Sequence, residues 1–175
     1  LRDIQVSQTA AVNGHAKTAA KPAWTVPSTF MNDLESIDFG KVETPSRLFL
    51  QTTALDSFAR ASKLATELSS PEIRVSNAYS MKTNPDERLI KLALGAGFYA
   101  EAISLLEVKK ALETGFRADQ IILNGPAKWW RRDTMPKAEF FGIFCDSIEE
   151  IERVTDEMNR GELTASFVGV RRRTP

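Results

Sequence analysis

The chain has 175 residues, 42% of them hydrophobic and 26% charged, the balance of a globular protein with one ordinary core. Lys and Arg together number 23, as do Asp and Glu, so no net field draws the chain to nucleic acid or to an anionic membrane surface. Cys145 is the single cysteine and His15 the single histidine, which excludes an intrachain disulfide, a cysteine-rich zinc site and a multi-histidine metal centre.

No apolar run reaches the ~20 residues of a membrane helix, and the amino end lacks the charged-then-apolar pattern of a secretory signal. The expected compartment is the cytoplasm, and the expected partners are a small molecule or another protein.

Residues 1–40 are rich in Ala, Thr, Ser, Asn and Pro and show no sustained period before Phe30-Met31, so they read as an irregular amino-terminal segment with a solvated His15. Residues 41–175 form the second unit. Thr44-Pro45 introduces Ser46-Arg47-Leu48-Phe49-Leu50 as a short strand, and Leu55, Phe58, Ala59, Leu64 and Leu68 mark one face of the helix that follows.

From Val75 the pattern becomes regular. Short apolar runs centred near Tyr79, Ala100, Ile122, Ile143 and Val168 lie 21, 22, 21 and 25 residues apart. A strand of about 5 residues, a helix of about 11 and two short connections fill such a period, so the run reads as consecutive β-α units.

Helix punctuation supports this reading. Asn84-Pro85 places a capping side chain before a proline at the first helical position, and Gly95 closes that helix. Ser104-Leu105-Leu106-Glu107 is a capping box with Gly115 as its stop. Ser147-Ile148-Glu149-Glu150 repeats the box, with Ile148, Ile151, Val154 and Met158 as the buried stripe, Glu149, Glu150 and Glu152 facing solvent, and Gly161 as the stop.

Consecutive β-α units make either an open doubly wound sheet or a closed (β/α)8 barrel, and the period does not decide between them. A barrel takes about 250 residues, so the barrel reading makes this chain a partial one that stops after its fifth strand.

Tyr79-Ser80-Met81-Lys82-Thr83-Asn84-Pro85 sets a lysine at the carboxyl end of the first strand of the series. In an α/β barrel that end carries the chemistry, and a lysine amine forms a Schiff base with an aldehyde such as pyridoxal phosphate. The plain alternative is a solvated lysine at a strand end.

This stretch resembles the Tyr-Ala-Val-Lys-Ala-Asn motif of the ornithine, diaminopimelate and arginine decarboxylases, the barrel-type (fold III) pyridoxal-phosphate enzymes. The resemblance continues in order. Thr44-Pro45 is similar to the Thr-Pro opening the family's leading strand, and Gly97 to Ser104 with Glu107 to its second barrel strand ending in Ser-x-x-Glu. Asn124-Gly125-Pro126-Ala127-Lys128 resembles the Asn-Gly-Pro-Ala-Lys after its third strand, Asp146-Ser147 the Asp-Ser after its fourth, and Val168-Gly169-Val170-Arg171 its Val-Gly-Leu-Arg fifth strand.

The resemblance implies the amino-terminal part of an alanine-racemase-like pyridoxal-phosphate barrel, with Lys82 forming the Schiff base. It implies that Glu101, where the family often has Asp, lies beside the cofactor, and that Arg171 helps shape the cofactor pocket. Ser104 and Glu107 are second choices for cofactor contact, already explained by helix capping. Asn124 and Lys128 have a simple reading as a polar turn, Asp146 as a helix-start carboxylate, Arg171 to Arg173 as a weak basic patch, and Trp129-Trp130 as packing.

The implied activity is decarboxylation of an ornithine-, lysine- or diaminopimelate-like amino acid by a cytoplasmic homodimer with shared active sites. The family's phosphate loop and pyridine partner lie beyond this stretch, so the expectation is that these residues are inactive by themselves. Lys82-Thr83-Asn84-Pro85 lacks the Ala-Tyr-Gly-His of alanine racemases, leaving a racemase on the same barrel as an alternative, and a non-catalytic decarboxylase-like regulator is the rival from another class. No P-loop or complete dinucleotide fingerprint is present.

Overall fold

The computed structural model describes residues 26–43, 46–126 and 138–171. Its strands are β1 (Ala78–Ser80), β2 (Tyr99–Ala102), β3 (Ile121–Leu123), β4 (Glu139–Phe140), β5 (Gly142–Cys145), β6 (Thr164–Ala165) and β7 (Val168–Val170). Its α-helices are α1 (Ser28–Glu35), α2 (Gln51–Leu68), α3 (Glu87–Gly95), α4 (Leu105–Thr114) and α5 (Ile148–Asn159). Each expected apolar centre falls inside a strand of the five-stranded sheet.

That sheet has the order β1-β2-β3-β5-β7 and every pairing in it is parallel. Neighbours in space are thus successive strands of the series, with no reversal of order. A doubly wound sheet reverses at a switch point and a barrel does not, so the topology resolves the alternative in favour of a partial (β/α)8 barrel. The short parallel pair β4-β6 extends β5 and β7 toward their amino ends.

One face of the sheet is covered by helices. Ala100, Ala102, Ile121, Leu123, Ile143 and Cys145 are completely buried there with Ile90 of α3, Val108 and Ala111 of α4 and Val154 of α5. Alternation turns the intervening residues to the inner face, where the Tyr99 ring stacks on Phe141 at 3.9 Å and Phe167 meets Phe141 and Phe144 edge to face. Two strand glycines admit these rings: a Cβ on Gly142 would sit 2.2 Å from Cζ of Phe167, and one on Gly169 would sit 2.6 Å from Cδ1 of Phe144.

Both expected capping boxes are present and share a geometry. Ser104 Oγ accepts from the Glu107 N–H at 3.2 Å while Glu107 Oε2 accepts from the Ile103 N–H at 2.7 Å. Ser147 Oγ accepts from the Glu150 N–H at 3.2 Å, and Glu150 Oε2 accepts from the Asp146 N–H at 2.8 Å. The carboxylates thus reach one residue before the cap. Gly115 and Gly161 take the positive φ expected of helix stops.

Several expectations are corrected. Ser46 to Leu50 forms no strand; Phe49 instead lies under the Arg88 guanidinium at 4.2 Å from its ring centre. The cap of α3 is Asp86 rather than Asn84, because Asn84 Oδ1 accepts from the Asp86 N–H and forms a turn, delaying the first helical residue to Glu87. Gly95 is the last residue of that helix, and the left-handed position is Gly97.

The α2 stripe is also different. Phe58 packs against Tyr79 and Phe98, and Ala65 is buried, whereas Leu55, Leu64 and Leu68 are exposed on the outer side. On α5, Val154 is buried but Ile148 is exposed, and Glu150, read as solvent-facing, is buried by its own capping bond. Within the segment read as irregular, α1 is helical and tied to α2, with Asp33 accepting from the Thr53 N–H at 2.7 Å.

Candidate active site

Because β1, β2, β3, β5 and β7 run parallel in close register, their carboxyl ends share one rim. Ser80, Glu101, Ile122 and Gly142 lie in one row across the strands. Lys82 stands two residues beyond that row on β1, Asn124 two beyond it on β3, and Asp146 and Arg171 follow the last residues of β5 and β7. Five chemically active side chains thus reach one edge from five consecutive strands.

The Lys82 loop is held on both sides while its lysine makes no ion pair among the described residues. Met81 is completely buried and donates its N–H to the Glu101 carbonyl at 3.1 Å; Thr83 donates to the Ser80 carbonyl at 3.1 Å. Tyr79 Oη donates to the Asn84 carbonyl at 2.7 Å, and Lys110 Nζ donates to the carbonyl of Pro85. Burial first, and the Asp86 charge second, push the Tyr79 phenol up, so it remains the protonated donor this bond requires. Lys82 itself is exposed and makes no ion pair with a described residue.

Glu101 is half-buried and its Oε1 accepts from Asn124 Nδ2 at 2.7 Å. Arg171 Nη1 lies 3.2 Å from Asp146 Oδ1, and Asp146 Oδ2 is buried without a hydrogen-bond partner in the described structure. Sequence reading did not foresee either pairing. A signal for the second exists in the strand spacing: residues at equal offsets past neighbouring parallel strands become neighbours, which pairs Asp146 with Arg171 across β5 and β7, whereas Glu101 is in register with Ile122 and meets Asn124 two residues further on.

The structure brings Lys82, Glu101 and Arg171 to the rim, and commits Ser104 and Glu107 to the cap of α4. His15, Thr44-Pro45, Ala127, Lys128, Trp129, Trp130, Arg172 and Arg173 lie outside the described residues. A cavity of about 570 Å³ lined by Arg74, Asn77, Tyr99, Arg117 and Ser166 opens at the opposite, amino end of the sheet. A groove of about 610 Å³ between Arg47 to Leu50 and Asn84 to Leu89 lies beside the Lys82 loop without including the lysine. Neither cavity contains the rim constellation, and location on the carboxyl edge is the stronger guide to chemistry in this architecture.

Residues 55–174 match the family described as the pyridoxal binding domain of pyridoxal-dependent decarboxylases. This chain belongs to that family. The cofactor of this decarboxylase domain is pyridoxal phosphate, as the motifs around Lys82 imply.

Two solved structures are similar to it. A lysine/ornithine decarboxylase from Vibrio vulnificus, complexed with putrescine, is 17% identical with a TM-score of 0.45, over 66% of this chain and 30% of that one. An ornithine decarboxylase from Entamoeba histolytica is 17% identical with a TM-score of 0.43, over 69% of this chain and 42% of that one. The decarboxylase domain described here therefore spans less than half the length of either.

The donor set at the rim fits one part of pyridoxal phosphate. An exposed amine can meet the aldehyde, while the Glu101 carboxylate and the Arg171 guanidinium supply fixed charges of both signs. Among the described residues no group of three or more His, Cys, Asp or Glu is arranged to hold a metal ion, and no helix is long and apolar enough to cross a membrane.

Proposed function

We propose that Lys82 carries pyridoxal phosphate and that the protein containing this domain decarboxylates an ornithine-, lysine- or diaminopimelate-like amino acid in the cytoplasm. The observation that carries the reading is the exposed Lys82, held by a pinned loop at the carboxyl rim of a pyridoxal-binding domain.

When bound, the cofactor supplies an electron sink for the pair left behind as carbon dioxide departs. The residues of this chain do the rest. Lys82 would hold the cofactor through its aldehyde, and once released by a substrate amine its Nζ would be free to carry a proton. Glu101, held by Asn124, would set a negative charge on the same rim, and Arg171, paired with Asp146, a positive one at the end of β7. Ser104 and Glu107 act through the α4 cap rather than by contact.

The likeness of the six motifs to the ornithine, diaminopimelate and arginine decarboxylases supports the substrate class and, in the assembled protein, a homodimer with shared sites. The test is carbon dioxide release from a panel of basic and dicarboxylic amino acids with added pyridoxal phosphate, comparing the protein with Lys82→Ala. Release from a basic or dicarboxylic substrate, abolished by the substitution, is the expected result. Interconversion of enantiomers without gas release would instead establish a racemase, and cofactor-independent binding of a protein partner a regulator.

A further inference from the structure

We infer that Asn124 is a positioning residue whose side-chain amide holds the Glu101 carboxylate at the rim that also carries Lys82. This rests on the reading that Lys82 bonds the cofactor with Glu101 beside it.

Three hydrogen bonds fix Asn124. Its N–H donates to the Ala102 carbonyl at 2.9 Å, continuing the ladder between β2 and β3 past the end of β3. Its Oδ1 accepts from the Gly125 N–H at 2.8 Å, and its Nδ2 donates to Glu101 Oε1 at 2.7 Å. The Gly125 bond determines which end of the amide faces the carboxylate. A flipped amide would set its NH₂ against the Gly125 N–H and its oxygen against Glu101, losing both contacts.

The turn that presents the amide runs close against Ile103. Gly125 has φ +80°, and a Cβ placed there would lie 3.0 Å from Cβ of Ile103. The donor is therefore held through its contacts with the backbone, and what it immobilises is the Glu101 side chain. Glutamate has one more rotatable bond than aspartate, and the Asn124 contact removes that freedom. Glu101 Oε2 makes no hydrogen bond to a described residue and is left for a group at the rim.

Asparagine at such a turn has a plain alternative role, which is only to accept the Gly125 N–H. Asn124→Asp separates the two roles, because the carboxylate keeps the acceptor and loses the donor. Asn124→Ala removes the donor without adding charge. Both variants are made in the native background and in Glu101→Ala. Three quantities are measured: the Kd for pyridoxal phosphate by absorbance titration, the borohydride-trapped fraction on Lys82, and the thermal midpoint without cofactor.

The expected result is a loss of cofactor affinity on the order of 10-fold for either variant, the scale of one hydrogen bond to a charged group. That loss disappears in the Glu101→Ala background and does not follow the thermal midpoint. Native affinity in Asn124→Asp, or a loss equally large without Glu101, overturns the positioning role while Lys82 trapping stands. Absence of trapping at Lys82 in the native protein overturns the underlying reading and the role of Asn124 with it.

Discussion

The two faces of the sheet differ in what covers them. Toward the helices, Ala100, Ala102, Ile121, Leu123, Ile143 and Cys145 are wholly buried, while toward the inside Tyr99, Glu101, Phe144 and Gly169 are only partly covered. The first set has one task, removing apolar area from water, and small or branched aliphatic residues perform it well. The second mixes rings, glycines and a carboxylate, a mixture that stability alone does not favour. The contrast assigns folding to the outer wall and chemistry to the inner face and its carboxyl rim.

Wall substitutions are expected to have the largest effect on stability. Ile143→Ala removes a completely buried side chain between β3 and β7 and is expected to cost about 2–5 kcal/mol in chemical denaturation. A change under about 0.5 kcal/mol would show that the wall is not close-packed there.

A smaller effect sharpens the comparison at the point where the two regions meet. Ser104→Ala deletes the α4 cap and is expected to cost about 1 kcal/mol. Its affinity for pyridoxal phosphate should stay at the native value; weakened binding without lost stability would move Ser104 into the cofactor site.

The smallest effect lies on the outer surface. Hydrogen bonds from Arg88 first, with its charge and backbone N–H contributing, hold Asp86 down from its ordinary 3.8 to about 2. A carboxylate whose folded pKa is lowered contributes above its unfolded value and loses that contribution as pH falls through the folded one. Arg88→Met should therefore narrow the stability difference between pH 5 and pH 2 slightly, because the pair lies at the surface and is screened. An unchanged acid profile would show that the pair contributes nothing.

Much of the fold was legible in the sequence because its signals are local. Strand centres at Tyr79, Ala100, Ile122, Ile143 and Val168 and caps at Ser104 and Ser147 follow from short-range period and side-chain chemistry. The misreadings share a cause in tertiary packing. Helix period predicts a stripe but not how wide the neighbour is, so Leu55, Leu64 and Leu68 of α2 remain outside while Phe58 carries the contact. Glu150 is buried because its carboxylate turns back to the Asp146 N–H, which hydrophobicity counts do not register.

The site was legible in part. Motif resemblance implied Lys82, Glu101 and Arg171 around one cofactor, and the fold sets all three on one rim, but the pairings of Glu101 with Asn124 and of Arg171 with Asp146 depend on strand register. Strand order is needed before such offsets can be compared. The capping carboxylate Glu107 shows the converse, since the Ser-x-x-Glu that resembles the family's pattern is also the capping box of α4.

The central claim is that Lys82 bonds pyridoxal phosphate, and peptide mapping after borohydride reduction of the loaded protein tests it most directly. A phosphopyridoxyl group on the peptide containing Lys82, absent from Lys82→Ala, is the predicted result. Label confined to other lysines, or the same total label in Lys82→Ala, would contradict the account.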